Sequence, residues 1–104
     1  MRDRIAILGA GRLGEALVRG FLESGWRTPA DLTLTARREE RRSELAERYG
    51  APVEADNAAA AADAALVIVA VKPQDAAALL AEIGPALGPE HTLLSVAAAL
   101  STGW

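Results

Sequence analysis

The sequence predicts an α/β fold, a doubly wound parallel sheet with helices on both faces, formed by a single domain over residues 1–104. Three observations predict it. Short apolar runs rich in β-branched residues alternate with longer segments whose apolar residues recur at helical spacing, the pattern of parallel strands joined by crossover helices. A glycine-rich turn, Gly9-Ala10-Gly11-Arg12-Leu13-Gly14, follows the first strand-like run at once. Alanine is the commonest apolar residue and aromatics make up 4%, which suits helices packed close on a sheet better than a sandwich or barrel of large side chains.

Each element follows from its local pattern. Arg4 to Leu8 is a short apolar run ending in glycine, as a buried parallel strand feeding a tight turn does. From Arg12 to Ser24, Leu13, Ala16, Leu17, Phe21 and Leu22 recur at helical spacing, and Gly25 stands where a C-capping glycine belongs. Thr28-Pro29-Ala30-Asp31 is turn chemistry, and Leu32 to Thr35 is the second strand. Arg38 to Tyr49 is charged on most faces, with Leu45, Ala46 and Tyr49 as inward candidates and Gly50 as its stop. A brief extended segment around Pro52 and Val53 precedes an alanine-rich helix that Asn57 caps and that ends near Ala62. Asp56 and Asp63 bracket that helix and read as caps, not as an acid–base pair. Within Ala65 to Val71, Leu66-Val67-Ile68-Val69 has no polar alternation, which demands burial on both faces and a place mid-sheet beside the first strand. Asp75 to Ile83 is a helix closed by Gly84 and Pro85, and Thr92 to Val96 is the last strand.

Charge and composition exclude several function classes. The formal net charge is −3, and the basic residues from Arg37 to Arg48 are interleaved with acidic ones, so no one-signed stripe offers itself to nucleic acid. With no cysteine and one histidine, His91, neither a thiolate site nor a histidine cluster is available, and no metal is expected. His91 has no carboxylate at a motif-like spacing and is expected in a surface or loop position. The apolar run from Ala58 to Val71 is broken by Asp63 and too short for a bilayer helix, and the first apolar run passes straight into glycines instead of a cleavage site. A soluble, cytoplasmic protein is expected. Trp26 and Trp104 are read as covers of apolar edges.

Ligands of doubly wound sheets bind outside the carboxyl ends of the strands, where strand order reverses. Those places are Gly9 to Gly14, Ala36 to Arg38, Val71 to Gln74, and Ala97 to Ser101. The first carries the G-x-G-x-x-G fingerprint of a Rossmann-type dinucleotide site: Gly9 permits the turn, Gly11 opens the backbone to a pyrophosphate, and Gly14 lets the helix pack on the strand. The helix N-terminus adds free N–H groups and a partial positive charge. The strand before it and the helix after it weigh against the competing reading, an ordinary strand-to-helix turn. The second strand runs out as Thr35-Ala36-Arg37-Arg38, with no carboxylate for a ribose 2′-hydroxyl and two guanidiniums able to hold a 2′-phosphate, which favours NADP(H) over NAD(H). The alternative is a solvated, charge-mixed helix face shared with Glu39, Glu40, Arg41 and Arg42.

Four segments taken in order resemble the N-terminal half of pyrroline-5-carboxylate reductase across nearly the whole chain. They are Ile7 to Leu17, Asp56-Asn57, Ala70-Val71-Lys72-Pro73-Gln74, and Ser95-Val96-Ala97-Ala98. The resemblance implies that Ala10, Gly11, Arg12 and Leu13, between Gly9 and Gly14, bind the pyrophosphate. Arg37 and Arg38, following Ala36, would take the adenosine phosphate, and Asn57 the adenosine ribose. Val71, Lys72 and Pro73 would line the nicotinamide ribose side, with Ala97 and Ala98 beneath the ring. Pro73 suits that role, because it fixes its own φ and biases Lys72 toward an extended strand exit. The implied reaction is hydride transfer from NADPH to a cyclic imine in proline biosynthesis. The cofactor carries that chemistry, so no catalytic side chain is assigned in this chain. The sequence departs from the family where Ala99 replaces a common glycine and Leu13 a common methionine. Family members continue into a helical domain that dimerises and builds most of the substrate pocket, so the expected partners are the dinucleotide and a helical substrate domain, either missing or separately encoded. Two rival readings are a deazaflavin (F420)-dependent NADP reductase and a non-catalytic dinucleotide-binding module.

Overall fold

The computed structural model describes residues 4–9 and 11–95. Along β1 (Ile5–Leu8) the side chains alternate between two faces: Ile5 and Ile7 enter one core, Ala6 and Leu8 the other, so all four are buried. The chain continues through α1 (Arg12–Glu23), β2 (Leu32–Thr35), α2 (Glu39–Tyr49), β3 (Val53–Glu54), α3 (Asn57–Ala62), β4 (Leu66–Val69), α4 (Pro73–Ile83) and β5 (Thr92–Ser95). All pairings are parallel, in the order β3-β2-β1-β4-β5. This is the Rossmann-type doubly wound sheet expected from the sequence, with β1 and β4 adjacent in the register Ile5↔Leu66 to Leu8↔Val69. Strand order reverses between them, because the chain builds outward from β1 to β3 and then crosses to β4.

One core gathers Ile5, Ile7, Leu32, Leu34 and Ile68 with Val18 of α1 and Leu45 of α2. The other gathers Ala6, Leu8, Val67 and Val69 under Ala60 and Ala61 of α3 and Leu79 and Ile83 of α4. The alanines let α3 approach the sheet closely, which is where much of the alanine content is used.

The helix faces differ from the sequence reading in detail. Val18 is the fully buried residue of α1 and Ala16 is exposed, while in α2 Leu45 is buried and Ala46 exposed. Asp56, not Asn57, caps α3: its carboxylate accepts the Ala59 N–H at 3.1 Å, Asn57 is the first helical residue, and Asp63 occupies the C-cap. β4 is shorter than the run that announced it, and β5 takes in Thr92 to Ser95 as expected, with Val96 outside the described residues.

His91 lies in the loop before β5, as expected, but its side chain is not on the surface. Its side chain is 4% exposed: Nδ1 accepts the Gly88 N–H at 2.8 Å, and Nε2 lies 3.2 Å from the Ala62 carbonyl. A neutral ring protonated on Nε2 satisfies both contacts, so this histidine is a buried tie between α3 and the entry to β5. Trp26 is half exposed, edge-on to Phe21 with the Arg27 guanidinium 4.3 Å from its ring centre, and Trp104 lies outside the described residues. Among the described residues no helix is long and apolar enough to cross a membrane.

Candidate functional site

The glycine turn takes its shape from contacts on both sides. Gly9 has φ +72°, and a Cβ there would stand 2.1 Å from Val71 Cγ1, so a side chain at this position would strain the backbone and displace Val71. Its N–H donates to Thr35 Oγ1 at 2.9 Å, which ties the exit of β1 to the end of β2. The Gly11 N–H then donates to the Gly9 carbonyl at 2.7 Å, and the Glu15 N–H to the Gly11 carbonyl at 2.9 Å, starting α1. Gly11 differs from Gly9. Its φ is −97°, and the nearest atom to an added Cβ, the Gly9 carbonyl oxygen, is 4.0 Å away. The fold does not demand glycine there; a ligand approaching the backbone would.

Gly9 and Gly11 form one lip of a cleft of about 400 Å³, a size within the range of small-molecule sites. Ala36, Arg37 and Arg38 form a second lip, Asn57 and Val71 also line it, and α4 contributes a wall that includes Ala78, Leu79 and Glu82. Seven of the residues singled out from the sequence therefore meet at one place. Arg12 and Lys72 are exposed beyond the cleft lining, Leu13 is half buried and Gly14 is buried. Lys72 is extended (φ −64°, ψ 151°) as the N-cap of α4, and Pro73 is the first residue of that helix. Ala10, Ala97 and Ala98 lie outside the described residues.

The structure sorts the arginines around the cleft. Glu15, buried on α1, accepts from Arg41 and Arg48 at 2.5 Å each and from the Tyr49 hydroxyl at 2.6 Å. Burial alone would raise the pKa of its carboxyl, but the hydrogen bonds from Tyr49, Arg41 and Arg48 outweigh that and hold it at about 2. Glu44 also pairs with Arg41 and Arg48. Arg42 turns back onto the main chain, where Nη1 donates to the Ala36 carbonyl at 3.0 Å and the Arg37 carbonyl at 2.8 Å. Arg37 and Arg38 are exposed, and no hydrogen bond or ion pair from a described residue engages either guanidinium. Asn57 Nδ2 lies 3.4 Å from both carboxylate oxygens of Glu82, at the long end of hydrogen-bond distance.

Sequence reasoning missed four contributors: Thr35, Glu15, Arg42 and the α4 wall. Glu15 carried a legible signal, because with Val18 and Leu22 it falls on the inward stripe of α1, where a carboxylate requires buried donors. The wall carried none. Among the described residues no group of three potential metal ligands occurs.

Comparison with known proteins gives this geometry its kinship. A pyrroline-5-carboxylate reductase from Corynebacterium melassecola is 38% identical over 93% of this chain and 37% of its own length. The backbone superposes on the pyrroline-5-carboxylate reductase of Coxiella burnetii with a TM-score of 0.82, at 24% identity over 91% of this chain and 35% of that one. It superposes on an imine reductase from Myxococcus stipitatus in complex with NADP+ with a TM-score of 0.70, at 27% identity over 89% of this chain and 31% of that one. This chain thus spans about a third of the length of the relatives it matches. Residues 4–99 match the family described as NADP oxidoreductase, coenzyme F420-dependent, and the chain belongs to that family.

Proposed function

We propose that residues 1–104 form one NADP(H)-binding domain of an oxidoreductase that reduces a cyclic imine, pyrroline-5-carboxylate, to proline. The observation that carries this reading is the pair Arg37 and Arg38, exposed and unengaged by described residues, on a cleft whose other lip is the Gly9–Gly11 turn. Two neighbouring guanidiniums that no described residue engages are available to a ligand, and a 2′-phosphate would engage them through charge-assisted bonds. The methyl side chain of Ala36 leaves the exit of β2 without a carboxylate that would repel such a phosphate. Space at Gly11 and the N-terminus of α1 suit the pyrophosphate, and Asn57 suits the adenosine ribose. In this reading Ala10, Arg12, Leu13 and Gly14 complete the pyrophosphate turn, and Val71, Lys72, Pro73, Ala97 and Ala98 line the nicotinamide end. The cofactor, when bound, supplies the hydride; the chain's residues hold and orient it. The 38% identical reductase supports the substrate. A helical partner domain would complete the substrate pocket, and the absence of cysteine fits a cytoplasmic setting.

Calorimetric titration with NADPH and NADH tests the reading. Changing Arg37 and Arg38 together to Ser should weaken NADPH by about 1.5–3 kcal/mol per charged hydrogen bond lost and leave NADH nearly unchanged. Equal losses for both nucleotides would give the pair a structural role and remove the basis for NADP(H).

The family's description favours a second reading, hydride exchange between NADP and a reduced deazaflavin. Turnover of reduced F420, and none of pyrroline-5-carboxylate, by a full-length relative with the same cleft residues would transfer the assignment to it.

A further inference from the structure

We infer that Arg42 is a positioning residue for nucleotide selectivity, which holds the loop that presents Arg37 and Arg38 and so sets the preference for a 2′-phosphate without touching one. The inference rests on the reading of Arg37 and Arg38 as the phosphate-binding pair. Arg42 Nη1 donates one hydrogen to the Ala36 carbonyl (3.0 Å) and the other to the Arg37 carbonyl (2.8 Å). The Arg42 backbone N–H donates to the Arg38 carbonyl at 3.0 Å. One residue therefore binds three consecutive carbonyls, those of 36, 37 and 38. On the other side, the Ala36 N–H is held by the Glu54 carbonyl at 3.2 Å.

The result is a loop with a fixed main chain and two guanidiniums that no described residue engages. That is the arrangement preorganisation requires, since the ordering cost of the loop is met during folding and not again on binding. The two side-chain bonds also place a cation against carbonyl oxygens that would otherwise set partial negative charge beside a bound anion. Arg41 and Arg48 cannot substitute, because Glu15 and Glu44 already engage them.

The test titrates 2′,5′-ADP and 5′-AMP, which differ only in the 2′-phosphate, into the wild-type chain, Arg42→Met, Arg42→Lys and the Arg37→Ser/Arg38→Ser double variant. NMR relaxation of the Arg37 and Arg38 backbone amides is measured in parallel. Arg42→Met should weaken 2′,5′-ADP about tenfold, leave 5′-AMP within about twofold, and increase the fast motion of both amides. Equal losses for both nucleotides would make Arg42 merely structural and overturn the inference. So would recovery of selectivity in Arg42→Lys while the amides stay mobile, since charge alone would then suffice. If Arg42→Met binds 2′,5′-ADP normally while the double variant does not, the inference fails and the phosphate reading stands. If the double variant also binds it normally, the phosphate reading fails and the inference falls with it.

Discussion

An added Cβ at Gly9 would sit 2.1 Å from Val71 Cγ1 on a backbone with φ +72°, whereas at Gly11, among the described residues beyond its chain neighbours, it would meet nothing nearer than 4.0 Å. The two glycines of one motif therefore answer to different demands, and their substitutions should separate. Gly9→Ala should cost stability, about 1–3 kcal/mol from the strained φ and the forced shift of Val71. Gly11→Val should leave stability within about 1 kcal/mol of wild type yet abolish dinucleotide binding, because a branched side chain stands where the pyrophosphate approaches. Denaturant melts paired with NADPH titration check both, and normal binding by Gly11→Val would mean that this turn is not the site. The spacing of the glycines was legible in the sequence. The reason a side chain at Gly9 would be strained was not, because Val71 reaches it only through the pairing of β1 with β4.

Strands were more legible than helix faces, and the cause lies in what each buries. β1, β2 and β4 are covered on both sides, so nearly every residue is apolar or β-branched and the run announces itself. In α1 and α2 alanine is compatible with either environment, so spacing alone chose Ala16 and Ala46 over solvent-facing assignments. The carboxylate knot joining these helices has a measurable consequence. The pKa of Glu15 is lowered from 4.5 to about 2, so the folded state favours its charged form. Stability from this group is fully present above pH 4.5 and is lost as pH falls toward 2; the shift corresponds to something on the order of 3 kcal/mol. Glu15→Gln should cost roughly 2–3 kcal/mol at neutral pH, because Arg41 and Arg48 lose their shared partner, and should flatten the acid limb of the stability curve. Denaturation midpoints between pH 2 and pH 7 decide it; an unaltered acid limb in that variant would assign the acid response to other carboxylates.

At the scale of the molecule, the alternation of strands and helices was sufficient to anticipate a parallel sheet with β1 and β4 adjacent at its centre, and the reversal between them that locates the cleft, though not β3 as a strand. The α4 wall was not anticipated, because a helix face turned toward a ligand has no periodic signature separate from one turned toward solvent. In the proposed reaction a bound nicotinamide would still need an imine held within near-attack distance, which only an enclosing pocket achieves. The C. melassecola reductase devotes nearly two thirds of its length to sequence beyond this match. The 104-residue chain by itself is therefore expected to bind NADPH at most weakly and to show no appreciable pyrroline-5-carboxylate reduction in an NADPH-oxidation assay. Robust turnover without an added partner would place the substrate elsewhere.

The tie from the Gly9 N–H to Thr35 Oγ1, and the seat of Gly9 against Val71, also bear on when the site comes into being. Thr35 is 26 residues away along the chain and Val71 farther still, the one at the end of β2 and the other just past β4, on opposite sides of β1. The turn cannot be shaped by its own sequence as a local hairpin is; its two anchors arrive only after β2 and β4 have both docked, each at the entropic cost of closing a long loop. Nucleotide competence thus requires both strands in place, and a chain from which either has detached lacks the cradle even where its helices persist.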